Sequence, residues 1–541
     1  MVGLAAAFGS GAMTNPIEDI EKAEVILITG SNTTENHPIV SEYAKRAVKF
    51  RGAKLIVVDP RKIPITRYAT LWLRQHLGTD VAWINGMMHV IIKEKRFDES
   101  YVNSRTVGLD EIKACVEKYT PEYVEEITGI AKDDLVRAAR LYAGAAGGAS
   151  ILYAMGITQH ITGTDNVKSL ANLAMLCGNM GIPGGGINPL RGQNNVQGAC
   201  DMGALPNVFT GYQKVDDPVQ NKRMADTWGV DSLPLQPGLT VTKMMDMTHS
   251  GKIRALYVVG ENPMVSDPDL NHAEKALEHL DFLIVQDIFL TETAQMADVV
   301  LPAASFAEKE GTFTNTERKV QRIRKAFNPP GEAKEDAHII CDLATRMEYP
   351  MSYETSRDIM NEIAAVTPSY CGINYERLEK GGIHWPCTGT DHPGTPCLHV
   401  DQFSCGLGIF HAIDYIQSAE VPDEEFPLYL TTGRVLYQYH TGTMSMKSAG
   451  LNILAPDCFV EMSINDSRKY DVDDGDWLKV VSRRGEIKAK TKISEQAVDG
   501  TVFIPFHYAE AAANRLTHAA LDPLAGIPEY KVCAVKIEKA T

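Results

Sequence analysis

Two apolar runs recur along the chain with the same punctuation. Val25–Gly30 (VILITG) is unbroken and closes on glycine, the pattern of a parallel strand buried on both faces. A polar loop with Asn32 and Pro38, a helical stretch and a second run, Lys54–Val58, follow, and that run ends in Asp59-Pro60-Arg61. Ala255–Gly260 (ALYVVG) repeats the opening and leads through Glu261-Asn262-Pro263 into a helix and a second strand, Phe282–Val285, ending near Asp287. From glycine to aspartate is 29 residues in the first copy and 27 in the second. The first copy continues to Gly78-Thr79-Asp80, the second to Thr291, Thr293 and a strand at Ala297–Leu301 that includes Asp298. A further strand, Ile151–Gly156, followed by Thr158-Gln159, belongs to the first copy. Each copy reads as a βαβ unit with ligand-facing residues at the carboxyl ends of its strands, where open parallel sheets bind nucleotides.

From about Phe426 the period changes. Short alternating runs (LYLTTG, DWLKVVS, EIKAKTKIS, GTVFIPF) separated by tight turns predict a compact β-barrel. The pattern therefore predicts an α/β protein with an αβα domain over 1–193, a second over 194–334, a connecting region over 335–424 and a barrel over 425–541. The small residues of the opening MVGLAAAFGSGAMTNP predict a loop.

Composition narrows the function. An apolar content of 44% with 23% charged residues is that of a globular protein. A net charge of −16, from 53 basic and 69 acidic residues, argues against a nucleic-acid surface, and the basic run Arg318–Lys325 has no interleaved aromatics. Within it Lys319, Arg322 and Arg324 read as a solvated strand face. No apolar run is long enough to span a bilayer. The ten cysteines contain no C-x-x-C pair, so neither a zinc ribbon nor an iron–sulfur cluster can be read from their spacing. Buried thiols in a cytoplasmic protein are the expectation.

The candidate chemistry lies in Gly178–Pro206, GNMGIPGGGINPLRGQNNVQGACDMGALP, which holds eight glycines, six side-chain amides and one arginine in 29 residues. Glycines at this density bring backbone close to a large neighbour, and the amides offer donors and acceptors to heterocycles and phosphates. Arg191 is the only full charge before Asp201, which suits it to a small anion. An acidic residue at a second strand end, such as Asp59 or Asp287, can accept two hydrogen bonds from a ribose diol or a guanine edge. Neither copy carries G-x-G-x-x-G, so a nicotinamide site is not indicated.

The segment RGQNNVQG, with EGTFTNTER and TTGRVLYQYHTGTMS (431–445), resembles the molybdopterin-guanine-dinucleotide oxidoreductases, above all formate dehydrogenase catalytic subunits. The resemblance covers essentially the whole chain. It implies two dinucleotide-binding-like αβα domains, one incomplete, and a six-stranded double-psi barrel. The implied cofactor is bis-molybdopterin guanine dinucleotide carrying molybdenum or tungsten. It implies Arg191 beside the metal, with Gly192 and Gln193 next to it. Gly30, Asn32, Asp59, Arg61, Gly78, Asp80, Gly156 and Gln159 would serve one nucleotide half. Gly260, Glu261, Asn262, Asp287, Thr291 and Asp298 would serve the other. Thr432, Gly433, Arg434 and His440 would contact the pterins, with Asn514 and Lys531 as weaker candidates. His160 reads as a local hydrogen-bonder.

In that family a [4Fe–4S] domain and a cysteine or selenocysteine metal ligand precede the matched segment. Neither is in this sequence, so the chain supplies no ligand to the metal and is expected to be the C-terminal portion of a subunit, inactive alone. A selenocysteine codon taken as a stop would yield such a start. The implied reaction is the interconversion of formate and CO2. Expected partners are the missing N-terminal part and an iron–sulfur, NAD-, deazaflavin- or hydrogenase-linked electron carrier. The rivals are another member of the family, such as a nitrate reductase, and a non-catalytic molybdopterin-fold scaffold subunit.

Overall fold

The structure, a computed structural model, describes residues 1–540. Its chain folds into two compact units, one of Met1–Gly192 with Cys397–Thr541 and one of Gln193–Pro396. The stretch read as a connector divides between them and carries helices of its own, Asp336–Arg346 and Ser356–Val366.

In the first unit β1 (Val25–Thr29), β2 (Lys54–Val58), β3 (Leu71–Leu73), β4 (Ala149–Tyr153) and β5 (Ile187–Pro189) form a parallel sheet in the order β3-β2-β1-β4-β5. All five residues of β1 are buried. Val25 and Leu27 enter one apolar cluster and Ile26 and Ile28 the other, so both faces of the sheet are covered. That is why the run reads as unbroken rather than alternating. The opening residues are not a loop: Val2–Phe8 is a helix whose Leu4 and Phe8 are fully buried, packed with the helix Gly163–Leu176. Alanine-rich sequence favours a helix once one face has a core to enter.

The second unit holds a smaller parallel sheet of β6 (Ala255–Val259), β7 (Phe282–Asp287) and β8 (Val299–Pro302). Val258, Leu283 and Val285 pack with Met245, Ala276 and Leu277 on one side. Burial here departs from the expectation. Of β6 only Val258 is buried, and Val259, Phe282, Val299 and Val300 are exposed. Of the basic residues read as a solvated strand face, Arg324 is exposed and Lys319 half-buried, but Arg322 is not solvated. Arg318 is fully buried, and Arg322 stacks 3.6 Å from the centroid of Tyr375 with Glu379 3.2 Å away. Guanidinium groups can be buried where a ring and carbonyls receive them. Arg318 donates to the carbonyls of Thr395 (2.9 Å) and Pro396 (2.6 Å).

The C-terminal strands β9 (Leu428–Gly433), β10 (Phe459–Met462), β11 (Trp477–Val481), β12 (Glu486–Ile493), β13 (Thr501–Pro505) and β14 (Cys533–Lys539) close a barrel in the order β9-β13-β10-β12-β11-β14. Alternate residues, such as Leu428, Leu430, Leu478, Val480, Val502 and Ile504, fill its core. None of the ten cysteines forms a disulfide among the described residues, and Cys200, Cys387, Cys458 and Cys533 are buried, so the expectation of buried thiols holds for these four.

Candidate functional site

The carboxyl ends of β1, β2 and β4 bring the first set of predicted residues to one edge of the sheet. Gly30 sits at φ +58°, where a Cβ would lie 2.4 Å from the nitrogen of Ile157, so only glycine fits the turn. Its carbonyl accepts the N–H of Gly156 at 2.9 Å, which joins the β1 and β4 loops. Asn32 caps the short helix Thr33–Asn36, and its Oδ1 is buried without a partner. Gly78 precedes the helix Asp80–Lys93, which Asp80 opens. Gln159 ends the turn Met155–Thr158. His160, as expected, bonds locally, 2.9 Å from the Gly156 carbonyl.

Asp59 ends β2. Its Oδ1 accepts the Arg61 N–H at 2.9 Å, and burial pushes its carboxyl up to about 6, against the pull of Arg61. Asp80 is likewise raised by burial, with His160 opposing. The Arg61 guanidinium lies 3.7 Å over the Phe503 ring and 3.0 Å from Glu461, yet its Nε is buried without a partner. The barrel closes the same region from another side. Thr432 donates to the Tyr530 carbonyl at 2.9 Å, and Lys531 donates to the Thr432 carbonyl at 2.6 Å. Burial, then the charges of Arg434 and Arg61, brings the Lys531 ammonium down to about 7, with Asp59 opposing. Burial also lowers Arg434, whose guanidinium donates to the Gly192 carbonyl at 3.2 Å. Neither Arg434 nor Lys531 makes an ion pair among the described residues.

Arg191 follows β5 and is half-buried. Its backbone is held at three successive points: Leu190 N–H to the Tyr153 carbonyl (2.8 Å), its own carbonyl to His37 (2.9 Å), and the Gly192 carbonyl to Arg434. A Cβ on Gly192 would lie 2.6 Å from the Arg434 guanidinium, which would have to move to admit it. His440, at φ +47°, offers its carbonyl to His507. Burial drives that imidazole down to about 4, against the His440 bond. Asn514 is buried, and its carbonyl accepts from Thr517 at 3.1 Å. Gly433 ends β9 against Phe503.

In the second unit Gly260, Glu261, Asn262, Asp287 and Thr291 gather at the carboxyl ends of β6 and β7. Asn262 donates to Glu292 (2.8 Å) and accepts from Thr293 (2.8 Å), Glu261 accepts from Ser266 (2.7 Å), and Thr291 caps the helix Glu292–Gln295. Asp287 is raised by burial, against the N–H groups of Ile288 and Phe289. Asp298 is not brought to them. It precedes β8 and accepts the Leu283 N–H at 2.7 Å, at the opposite edge of a parallel sheet. Gln193 opens this unit, half-buried.

Sequence reasoning missed His37, Tyr153, Glu529 and the supporting role of Asp201. Tyr153 is buried, its hydroxyl has no partner, and burial raises it while the charge of Arg191 lowers it. Glu529, fully buried beside His160 and His518, is brought down to about 2 by those two histidines despite burial. Asp201 accepts from Tyr370 (2.6 Å), Tyr212 (2.8 Å) and Gln197 (2.8 Å). A polar residue next to a proline, His37-Pro38, was the one local signal.

Two cations buried without counter-ions are costly in an empty protein and suit an anionic ligand. With the unpartnered Arg61 Nε–H at the same strand ends, the donor set fits the diphosphate of a dinucleotide, and the unpartnered Asn32 Oδ1 is left to accept from an N–H or O–H of the same ligand. The molybdopterin oxidoreductase family model matches residues 4–346 and the molybdopterin dinucleotide binding domain matches 428–534, and the chain belongs to this family. Its cofactor is a molybdopterin dinucleotide. Over 544 residues it is 53% identical to the F420-dependent formate dehydrogenase subunit alpha of Methanocaldococcus jannaschii, covering 100% of this chain and 80% of that protein. It is 40% identical to formate dehydrogenase H of Escherichia coli, covering 99% of this chain and 76% of that one. Acetylene hydratase from Pelobacter acetylenicus shares the fold, with a TM-score of 0.80 over 100% of this chain and 80% of that chain at 21% identity. No described helix is long and apolar enough to cross a membrane.

Proposed function

We propose that the chain is the major part of a cytoplasmic formate dehydrogenase catalytic subunit, interconverting formate and CO2. The observation that carries this reading is Arg191. It is the one arginine of the glycine- and amide-rich loop, at a strand end, with its backbone pinned on both sides, beside strand ends and barrel residues whose buried cations suit an anionic dinucleotide. Formate has no apolar handle. Its binding and orientation must come from charge-assisted hydrogen bonds, and a guanidinium fork can hold both oxygens and leave the C–H pointing one way.

When bound, bis-molybdopterin guanine dinucleotide with molybdenum or tungsten supplies the two-electron redox chemistry. The protein's own share is to bind, orient and desolvate. Arg61, Arg434 and Lys531 would hold the diphosphate and pterin, and Gly30, Asn32, Asp59, Gly156 and Gln159 would receive one nucleotide. Gly260, Asn262 and Asp287 would receive the other, with Glu261 and Thr291 bracing the loops. Gly78, Asp80, Gly192, Gln193, Thr432, Gly433, His440 and Asn514 shape the surrounding backbone. Asp298 is left with a structural role. The electrons would leave to a partner subunit, which we take to use the deazaflavin F420 by analogy with the 53%-identical relative.

The test is the purified holoenzyme given formate with an oxidised viologen, and nitrate with a reduced one, with a metal count on the same preparation. Formate-dependent dye reduction with bound molybdenum or tungsten is expected. Nitrate reduction without formate oxidation would give the rival enzyme reading, and an absence of bound metal and pterin the scaffold reading.

A further inference from the structure

We propose that His37 is a positioning residue for Arg191, holding the carbonyl of the catalytic arginine by a hydrogen bond from its Nε2–H. The inference rests on the formate reading above. A carbonyl oxygen only accepts, so the 2.9 Å contact requires the proton on Nε2. The backbone that carries the ring is itself held. His37 N–H closes the short helix through the Thr33 carbonyl at 2.9 Å, and its own carbonyl accepts the Ser41 N–H at 2.9 Å, opening the helix Pro38–Arg51. Pro38 fixes the first helical residue in place. The ring's Nδ1 is buried and has no partner, and burial together with nearby Arg434 keeps the imidazole neutral against the Arg191 bond. The Nε2–H tautomer is therefore the persistent one.

The consequence follows from the local chain. The peptides on either side of Gly192 are each held by one side chain, His37 on the Arg191 carbonyl and Arg434 on the Gly192 carbonyl. A glycine follows the arginine, so nothing intrinsic to the backbone restrains the first of these peptides. Without the histidine the Arg191 carbonyl is free to turn, and the guanidinium moves with it. A misplacement of about 1 Å in a positioning group can cost on the order of 100-fold in rate.

The experiment compares His37→Phe, His37→Asn and His37→Gln in the holoenzyme. Phenylalanine keeps the ring and removes the donor, asparagine keeps a donor that falls short, and glutamine places an N–H where Nε2 stands. With melting temperature and bound metal and pterin per subunit near wild type, the Phe and Asn variants should lose about 100-fold in kcat/KM, through both a higher KM for formate and a lower kcat. Glutamine should restore activity to within about threefold. The proposal is overturned if both Phe and Asn stay within about threefold of wild type, or if kcat falls only in proportion to lost cofactor with KM unchanged. It is also overturned if glutamine is as poor as asparagine. Should phenylalanine prevent folding, the asparagine–glutamine pair decides alone. A wild-type holoenzyme that does not oxidise formate would instead refute the functional reading.

Discussion

Replacing Lys531 by methionine tests the idea that the barrel presents a buried cation to an anionic cofactor. Lys531 as a residue is 8% exposed, and burial with Arg434 and Arg61 brings its ammonium from 10.5 down to about 7. A lysine whose folded value lies below its unfolded value makes the unfolded chain bind more protons between those two limits. Stability must therefore rise with pH from about 7 to 10.5, and the charged form costs most below about 7. At about 1.4 kcal/mol per pH unit, this cost approaches 5 kcal/mol as an upper bound. Methionine also leaves the Thr432 carbonyl without its 2.6 Å donor, a loss of about 1–3 kcal/mol that does not vary with pH. The assay is urea unfolding of the cofactor-free chain at pH 6, 7.5 and 9 for wild type and Lys531→Met. The wild-type minus variant difference should become more favourable to wild type by up to about 2.8 kcal/mol from pH 6 to 9, nearly all of it above pH 7. In the holoenzyme the same substitution should lower cofactor occupancy. A difference independent of pH would show that Lys531 is not a charge held against its surroundings, and the anion-site argument would fall with it.

Arg191→Lys should raise KM and lower kcat with cofactor content near normal, while Arg191→Ala all but abolishes turnover; loss of metal in parallel with activity would make Arg191 a brace for the cofactor. Asp59→Asn and Asp287→Asn should each reduce the guanine nucleotide released on denaturation, and a structure of the holoenzyme should place both carboxylates within hydrogen-bond distance of a nucleotide. If either faces solvent there, the repeat carries no function in that half. Gly30→Ala places a Cβ 2.4 Å from Ile157 N at a positive φ, so it should destabilise the first unit by roughly 2–4 kcal/mol in urea melts, and a loss below 0.5 would refute the close packing of the β1 and β4 loops.

Sequence alone determined the local elements. The apolar runs closing on Gly30 and Gly260 specify parallel strands, because a strand buried on both faces cannot alternate, and the shift to short alternating runs after Phe426 specifies the barrel. The glycine- and amide-rich loop marked Arg191 because charge isolated among small polar residues is legible without a fold. What depends on distant partners was not legible. Arg61 meets Glu461 and Phe503 from 400 residues or more away, and Lys531 becomes a perturbed cation only where the barrel sets it beside Arg434 and Arg61. The opening helix and the stacked Arg322 were misread because burial is decided by tertiary neighbours, Leu4 and Phe8 in a core and Tyr375 under a guanidinium. Asp298 fell on the wrong edge because a motif carries no direction until its strand is paired. His37 is the clearest case: an ordinary histidine before a proline acquires its role only when β5 delivers the Arg191 carbonyl to its Nε2, and hydrogen bonds between residues 154 apart are set by topology, not by local pattern.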